Sequence, residues 1–493
     1  MSEFMWLPLV LLPMIIFWLI KYYYDYWKRR GIPYVESHPL DLDWYKSAGI
    51  DYYAKIYRQL EGHKFGGFFS RFAPKLMIRD PELIKNVLIK DFDYFHDRGD
   101  TTFDENEPLT MNMFSAPGTL WRNLRTRLTP TFTSGKMKYM FNLVQECAEE
   151  LVQAVDSHIQ NDTTIDVKNY VTRYSIEVIS SCAFGLKTYS IKDGHSRFAA
   201  MASKIFEGKL SARIVYLTRS VCPKLKEILR VPFIGKTTSE FFLKLTNDVV
   251  EHRKASNSSR NDFVQILINL QDDKKMGTIE DEFTLTDDLM SAQCFLFFVA
   301  GYDTSSMTIS FALYELAANI EIQKKLQNEI DSFMEEHDDQ VSYEMVHNMP
   351  YLHKVVSESL RKYSINGTLM RVCVKKYQIP GTEVYIDKGT EVFIPVSGLH
   401  TDERYFPDPE RFLPERFEDR NPEFRDAYLP FGAGPRSCIG FRFALMSVKL
   451  ALIYLLRNFN LELCTETRYP FEFAPLKIVT SVKHEIFLTF NKR

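Results

Sequence analysis

Disulfide chemistry is the first thing this sequence lacks. Seven cysteines are scattered over 493 residues (Cys147, Cys182, Cys222, Cys294, Cys373, Cys438 and Cys464), and no two are spaced CxxC. An odd, dispersed set excludes a disulfide scaffold and argues against a zinc ribbon. It points to a reducing compartment and mostly inert thiols. Glycine (21) and proline (22) are too few for a collagen-like or low-complexity chain. There is no excess of one charge: 61 Lys+Arg against 64 Asp+Glu leave −3. That argues against a nucleic-acid binder, which carries a basic excess. Internal repeats and long linkers are also missing. What is present is 45% hydrophobic residues, 25% charged and 14% aromatic, with 38 Phe and 26 Tyr. A chain this long buries a large core and has aromatics left for an apolar pocket.

Long apolar runs are absent except for one. Residues 4–20 read FMWLPLVLLPMIIFWLI, without a charge. As a helix they span about 26 Å, near the thickness of a bilayer's hydrocarbon core. Tyr22, Tyr23, Tyr24, Tyr26 and Trp27 follow as an interfacial aromatic belt would, then Lys28, Arg29 and Arg30. Glu3 precedes the run and the cations follow it, which is the reverse of a cleaved signal peptide. The expectation is one transmembrane helix with its amino end in the lumen and the rest in the cytosol. The competing reading is a buried hydrophobic helix, weakened by Pro8 and Pro13. Residues 31–33 (Gly-Ile-Pro) read as a stiff exit.

The rest is mostly helical. Apolar periodicity predicts helices near 137–160, 170–186, 197–210, 238–254, 286–318 and 350–363. Short strands are expected near 75–78, 383–386, 391–394 and 485–490. Residues 251–262 (EHRKASNSSRND) read as an exposed loop, with a second polar stretch near 271–282, and 395–435 as a long irregular segment.

Residues 431–440, FGAGPRSCIG, precede a helical stretch. Cys438 sits where that helix begins, so unpaired N–H groups and the helix dipole favour a thiolate. Such a thiolate, shielded by Phe431, suits haem iron, where it favours O–O cleavage. A catalytic nucleophile or a small buried hydrophobe are the alternatives. Glu358 and Arg361 stand at i, i+3 on one helix face, as a surface ion pair or a buried one. Thr286-Asp287-Asp288 starts a long helix. At its centre Ala300-Gly301-Tyr302-Asp303-Thr304 places a glycine, a carboxylate and a hydroxyl in an apolar run. A kink in the helix accounts for these, and so does a groove that admits small molecules beside a flat cofactor.

Phe431, Gly434, Arg436, Cys438 and Gly440 match every fixed position of Phe-x-x-Gly-x-Arg-x-Cys-x-Gly, the signature of the cytochrome P-450 superfamily. Further motifs agree in order and spacing, and the sequence resembles that family from the anchor to the end. The resemblance implies a mainly α fold with small β-sheets: a membrane anchor and basic flank at 1–30, and one large haem domain at 31–493. It implies haem b with Cys438 as the axial thiolate. Trp121, Arg125, Arg371 and Arg436 would face the propionates, with Ala300, Gly301, Phe431 and Gly440 also against the haem. Thr304 would donate a hydrogen bond to the dioxygen being activated and Asp303 would relay protons. Glu358 and Arg361 would be buried and joined by an arginine from a Pro-Glu-Arg-Phe segment. That tetrapeptide occurs twice; the resemblance implies Arg416, whose distance to Cys438 fits the family better than that of Arg411. The family often follows this helix with prolines; here Lys362-Tyr363-Ser364-Ile365-Asn366-Gly367 stands instead.

The family builds its substrate pocket from stretches that correspond here to 97–119, 206–242, 296–304, 365–370 and 476–482. Phe297, Phe298, Ala300 and Leu369 are the pocket residues expected, and 212–233 would touch the membrane. Arg122, Arg127, Lys136, Lys138, Arg442 and Lys449 would form a basic patch for an acidic NADPH-dependent reductase, since the chain has no dinucleotide or flavin fingerprint of its own. The implied activity is insertion of one oxygen atom from O2 into a lipophilic molecule at the endoplasmic reticulum membrane. Residues 129–138 and 311–317 resemble microsomal detoxification enzymes of insects and drug oxidisers of vertebrates. A reductase-independent isomerase or dehydratase of oxidised lipids, and a haem-based sensor, are the rival readings. The sequence leaves a need for cytochrome b5 open.

Overall fold

The chain's most apolar interior element is a helix at Asp287–Ala318, and the rest is arranged around it. Thr286 caps it, its hydroxyl accepting from Leu289 N–H at 3.2 Å, and Asp287 and Asp288 meet the positive end of its dipole. Residues 305–317 are buried on every side, as only a helix inside a large core can be. In the computed structural model, residues 7–38, 41–70, 72–99, 103–194, 197–206, 232–256, 260, 262–275, 283–418, 422–475, 477 and 479–493 are described.

Helices at Ser134–Ile159, Val167–Ile179, Lys236–Ser256, Pro350–Lys362 and Phe441–Asn458 surround the central one. The sheets are small. Strands β1 (Phe65–Ser70), β2 (Ala73–Ile78), β4 (Leu369–Val372) and β7 (Glu391–Ile394) form a mixed sheet in the order β1-β2-β7-β4. β2 and β7 run parallel, the other neighbours antiparallel. Strands β3 (Thr164–Asp166), β8 (Phe459–Leu463) and β9 (Phe487–Lys492) form an antiparallel sheet in the order β3-β9-β8. β5 (Tyr377–Gln378) and β6 (Tyr385–Ile386) pair as a hairpin. The mainly α architecture with small sheets is as expected.

Two local expectations are corrected. Residues 251–256 continue a helix, and Arg253 and Asp262 are buried in a bidentate pair with both contacts at 2.6 Å. Charged residues in a polar stretch read as a loop, but these two neutralise each other inside the core. The aromatic belt is corrected in part. The amino-terminal helix, Leu7–Tyr24, leaves Leu11 to Ile20, Tyr22 and Tyr23 exposed, but Tyr24, Tyr26 and Trp27 turn inward. Trp27 is 3% exposed and donates to Phe68 C=O at 3.2 Å, and Tyr24 stacks on Phe69 at 4.6 Å. Gly67 and residues 33–35 then exchange backbone hydrogen bonds at the edge of β1. Among the described residues no helix is long and apolar enough to cross a membrane.

Trp27 occupies the space where Gly67 lacks a side chain: a Cβ there would lie 2.2 Å from the indole. Gly67→Ala should therefore overpack this joint and destabilise the protein by about 1–3 kcal/mol, read from urea unfolding. Wild-type stability of that variant would show that the indole is free to leave.

Candidate functional site

Between its solvent-exposed ends the central helix is sealed except at its middle. Phe298 and Tyr302 are buried, yet Ala300 between them is exposed, and Leu296, Phe297, Val299, Gly301, Asp303 and Thr304 are only half-buried. Surface at the midpoint of an interior helix means that this face lines an internal cleft. Gly301 has a packing reason of its own. A Cβ would lie 2.7 Å from Ile179 Cδ1, so the crossing helix Val167–Ile179 requires the glycine. Thr304 gives its hydroxyl hydrogen to Ala300 C=O at 2.7 Å, an i−4 bond, which corrects the expected donation to dioxygen. The oxygen lone pairs are what it then presents to the cleft. Burial pushes the Asp303 carboxyl up, with Lys168 and Lys477 pulling it back.

The cysteine loop turns sharply before the helix Phe441–Asn458. Gly434 has φ +71°, and a Cβ there would lie 1.9 Å from Leu88 C=O, so no other residue fits. Cys438 N–H donates to Phe431 C=O at 2.9 Å. The thiol keeps exposed surface, yet burial is the largest influence on it and pushes its pKa up. A desolvated group with open surface faces a cleft. The Gly440 N–H, Arg125 and Arg98 favour the thiolate but do not outweigh burial. A metal ion would reverse that balance, because coordination deprotonates a thiol. Phe132 joins the two walls, lying 3.6 Å from a Cβ placed on Gly440 and stacking on Phe297 at 5.5 Å.

Four guanidiniums converge beside the cysteine. Arg125 donates to Ser437 C=O at 2.9 Å. Arg436 donates to Ala116 C=O at 2.8 Å and lies 4.4 Å over the Trp121 ring. Arg371 donates to Met370 C=O at 2.7 Å, and Arg98 to Arg436 C=O at 3.1 Å. Burial pushes Arg436 down to about 9 and Arg98 to about 10, and lowers Arg371 further; mutual repulsion adds to each shift. The buried Nε atoms of Arg98, Arg371 and Arg436 have no acceptor. Buried donors and cations left this way are costly, so the cluster is shaped for an anionic group. Among the described residues one close carboxylate stands against it, Asp97, 3.5 Å from Arg436. Four guanidiniums against one carboxylate leave an excess of positive charge, the sign that two propionates and a Cys438 thiolate would meet. The residues fit haem.

A buried frame holds the loop. Arg361 grips Glu358 with two bonds, at 2.7 and 2.9 Å, and both side chains are 0% exposed. Arg416 donates to the same carboxylate at 2.9 Å, as does Leu413 N–H. Arg411 lies outside, in a 3.8 Å surface pair with Asp408. In the proline-free segment, Lys362 pairs with Glu315 of the central helix at 2.8 Å, and Tyr363 hydrogen-bonds the same carboxylate.

Two residues of this site escaped the sequence. One is Arg98. The other is His400, whose Nε2 accepts from Leu429 N–H at 2.9 Å while Nδ1 lies 2.9 Å from Ser364 Oγ. The first contact fixes the proton on Nδ1, and burial with Arg361 nearby lowers the ring to about 3. His400 thereby ties the approach to the cysteine loop to the end of the charged-pair helix. Neither residue carries a local signal.

Other expectations need correction. Phe298 is 0% exposed among Phe242, Phe295 and Tyr302, so it is core and not pocket wall. Phe297 is half-buried against Phe132 and Phe263. Leu369 lies beside Gly432 in the cysteine loop. Lys449 is not on the surface: its ammonium donates to Val346 C=O at 2.9 Å, and burial lowers it to about 8. Arg122 and Arg442 are exposed near the cysteine side, while Lys138 pairs with Glu344. The membrane-contact stretch 212–233 lies mainly outside the described residues, as do Leu476 and Ile478 of the carboxyl-terminal turn.

Arg416→Ala strips one partner from a buried carboxylate and should cost about 3–5 kcal/mol, with reduced haem content after purification. Arg411→Ala should stay within about 0.5 kcal/mol of wild type. Equal losses in the two variants would break this assignment.

The sequence matches the Cytochrome P450 family over residues 50–489. It is similar to cytochrome P450 6a2 of Drosophila melanogaster, 37% identical over 95% of this chain and 96% of that one. Cytochrome P450 6k1 of Blattella germanica is 38% identical over 98% and 97%. Cytochrome P450 6A1 of Musca domestica is 35% identical over 99% and 97%. With a thiol at the base of a cleft, a buried arginine cluster beside it and family likeness over almost its whole length, the chain belongs to the cytochrome P450 family of haem-thiolate monooxygenases.

Proposed function

We propose that this enzyme oxidises lipophilic foreign compounds at the endoplasmic reticulum membrane, taking electrons from a separate NADPH-dependent reductase. The observation that carries the reading is the juxtaposition of a desolvated thiol and unpaired buried arginine nitrogens around one cleft. Cys438 would hold the haem iron, and Arg98, Arg125, Arg371 and Arg436 would hold the propionates, with Trp121 under Arg436. When bound, the haem supplies the redox chemistry that splits dioxygen.

The chain's own part is to position and to move protons. Thr304 presents its lone pairs to a proton-bearing group in the cleft, because its hydrogen is spent on Ala300. Asp303, its carboxyl raised toward neutrality, takes and returns protons one residue away. Ala300, Val299 and Leu296 form the apolar floor, where small side chains leave room for substrate. Exposed Arg122, paired with Asp93, and exposed Arg442, over the Phe441 ring, offer the reductase charged and apolar contacts. The exposed residues Leu11 to Ile20 are the membrane anchor in this reading. A boundary at residue 30 is not clean, because Trp27 belongs to the catalytic domain's core.

The rival, rearrangement of oxidised lipids without reductase, has no use for the Asp303–Thr304 pair. The two separate by experiment. With reductase and NADPH, Thr304→Ala should release several-fold more hydrogen peroxide per NADPH while binding substrate normally. Unchanged coupling across several substrates would remove the threonine from the mechanism. Product formation from a lipid hydroperoxide without NADPH would replace the monooxygenase reading.

A further inference from the structure

Among the described residues, Asp97 is the one carboxylate close to the four arginines. Its Oδ1 accepts from Gly118 N–H at 2.8 Å and lies 2.8 Å from His96 Nδ1 and 3.5 Å from Arg436. Its backbone carbonyl accepts from Val372 N–H at 2.8 Å, bridging to β4. These contacts reach every segment that supplies a donor to the cluster. Gly118 opens the helix Gly118–Leu128, which carries Trp121 and Arg125. Val372 follows Arg371. Arg436 comes from the cysteine loop, and Arg98 is the next residue in the chain.

Two physical effects follow. The first N–H groups of a helix have no partner within it, and a carboxylate there also opposes the positive end of the dipole. The helix Gly118–Leu128 has no side-chain cap from its own N-cap residue, Pro117. Asp97 serves that end from 21 positions upstream. A negative charge 3.5 Å from Arg436 also offsets repulsion among guanidiniums that burial and each other already disfavour.

We propose that Asp97 is a positioning residue that sets the propionate-binding arginines before haem enters, and that its charge then lowers the haem's reduction potential. The proposal rests on the arginine cluster being the propionate cradle. Local charge and outer hydrogen bonds are two of the levers a protein has on haem potential.

The test uses the full-length holoenzyme. Asp97→Asn keeps an acceptor for Gly118 N–H and removes the charge; Asp97→Ala removes both. Asp93→Asn, at a side chain 77% exposed, controls for a charge lost elsewhere on the surface. Two quantities are read: the rate of haem transfer to excess apomyoglobin, and the reduction midpoint by spectroelectrochemical titration. Asp97→Ala should lose haem about 10-fold faster. Asp97→Asn should hold haem nearly as well as wild type, with its midpoint moved in the positive direction, while Asp93→Asn moves neither. If Asp97→Ala does not fold, the midpoint of Asp97→Asn decides. Haem loss and midpoints at wild-type values, with only a lower unfolding midpoint, would make Asp97 a loop former and overturn the proposal. A wild-type protein that holds no haem would instead overturn the cradle on which it rests.

Discussion

Burying a guanidinium costs several kcal/mol unless counter-charge and acceptors meet it. Here Arg98, Arg125, Arg371 and Arg436 are desolvated together, and three of them keep an Nε without a partner. A protein tolerates such an arrangement when an anionic ligand supplies what the chain does not. The fold therefore spends stability at this place and recovers it on binding. The cleft, the cysteine loop and the opening in the central helix all face the same requirement, a flat dianion with a metal that a thiolate can hold.

Holding like charges together needs a stiff surround. The Glu358–Arg361–Arg416 cluster provides it behind the cysteine loop, with every carboxylate contact at or under 2.9 Å. His400 extends that frame to Leu429, two residues before Phe431. Gly434 lets the loop pass against Leu88 without a clash. On the other side Glu315 binds the central helix to Lys362 and Tyr363, so the segment that lacks the family's prolines is pinned by side chains instead.

The parts legible in the sequence are those whose chemistry is contiguous. Phe431 to Gly440 packs glycines, an arginine and the cysteine into one loop. Glu358 and Arg361 lie on one helix turn, and the resemblance to the family separates Arg416 from Arg411. Thr286 and the acids after it mark the start of the central helix. What stayed hidden depends on distant partners or on direction. His400 acts through Ser364 and Leu429, 36 and 29 positions away. Arg98 acquires its meaning from residues more than 300 positions on. Phe298 reads as pocket wall but is core, because a single strip of helix does not say which ring faces the cleft. Lys449 and Arg253 read as surface because charged residues normally are, and only a buried carbonyl or carboxylate overrules that. Trp27, next to an apolar run, reads as a membrane-interface residue, but its indole packs over Gly67.

The central claim is that Cys438 ligates haem as a thiolate in the cleft that the arginines define. The most direct measurement is the difference spectrum of the reduced protein with and without carbon monoxide, for wild type and Cys438→Ala. The account predicts a strongly red-shifted Soret band in the wild type that is absent from the variant. A folded wild-type protein with no haem band, or a Cys438→Ala variant with the same red-shifted band, would contradict it.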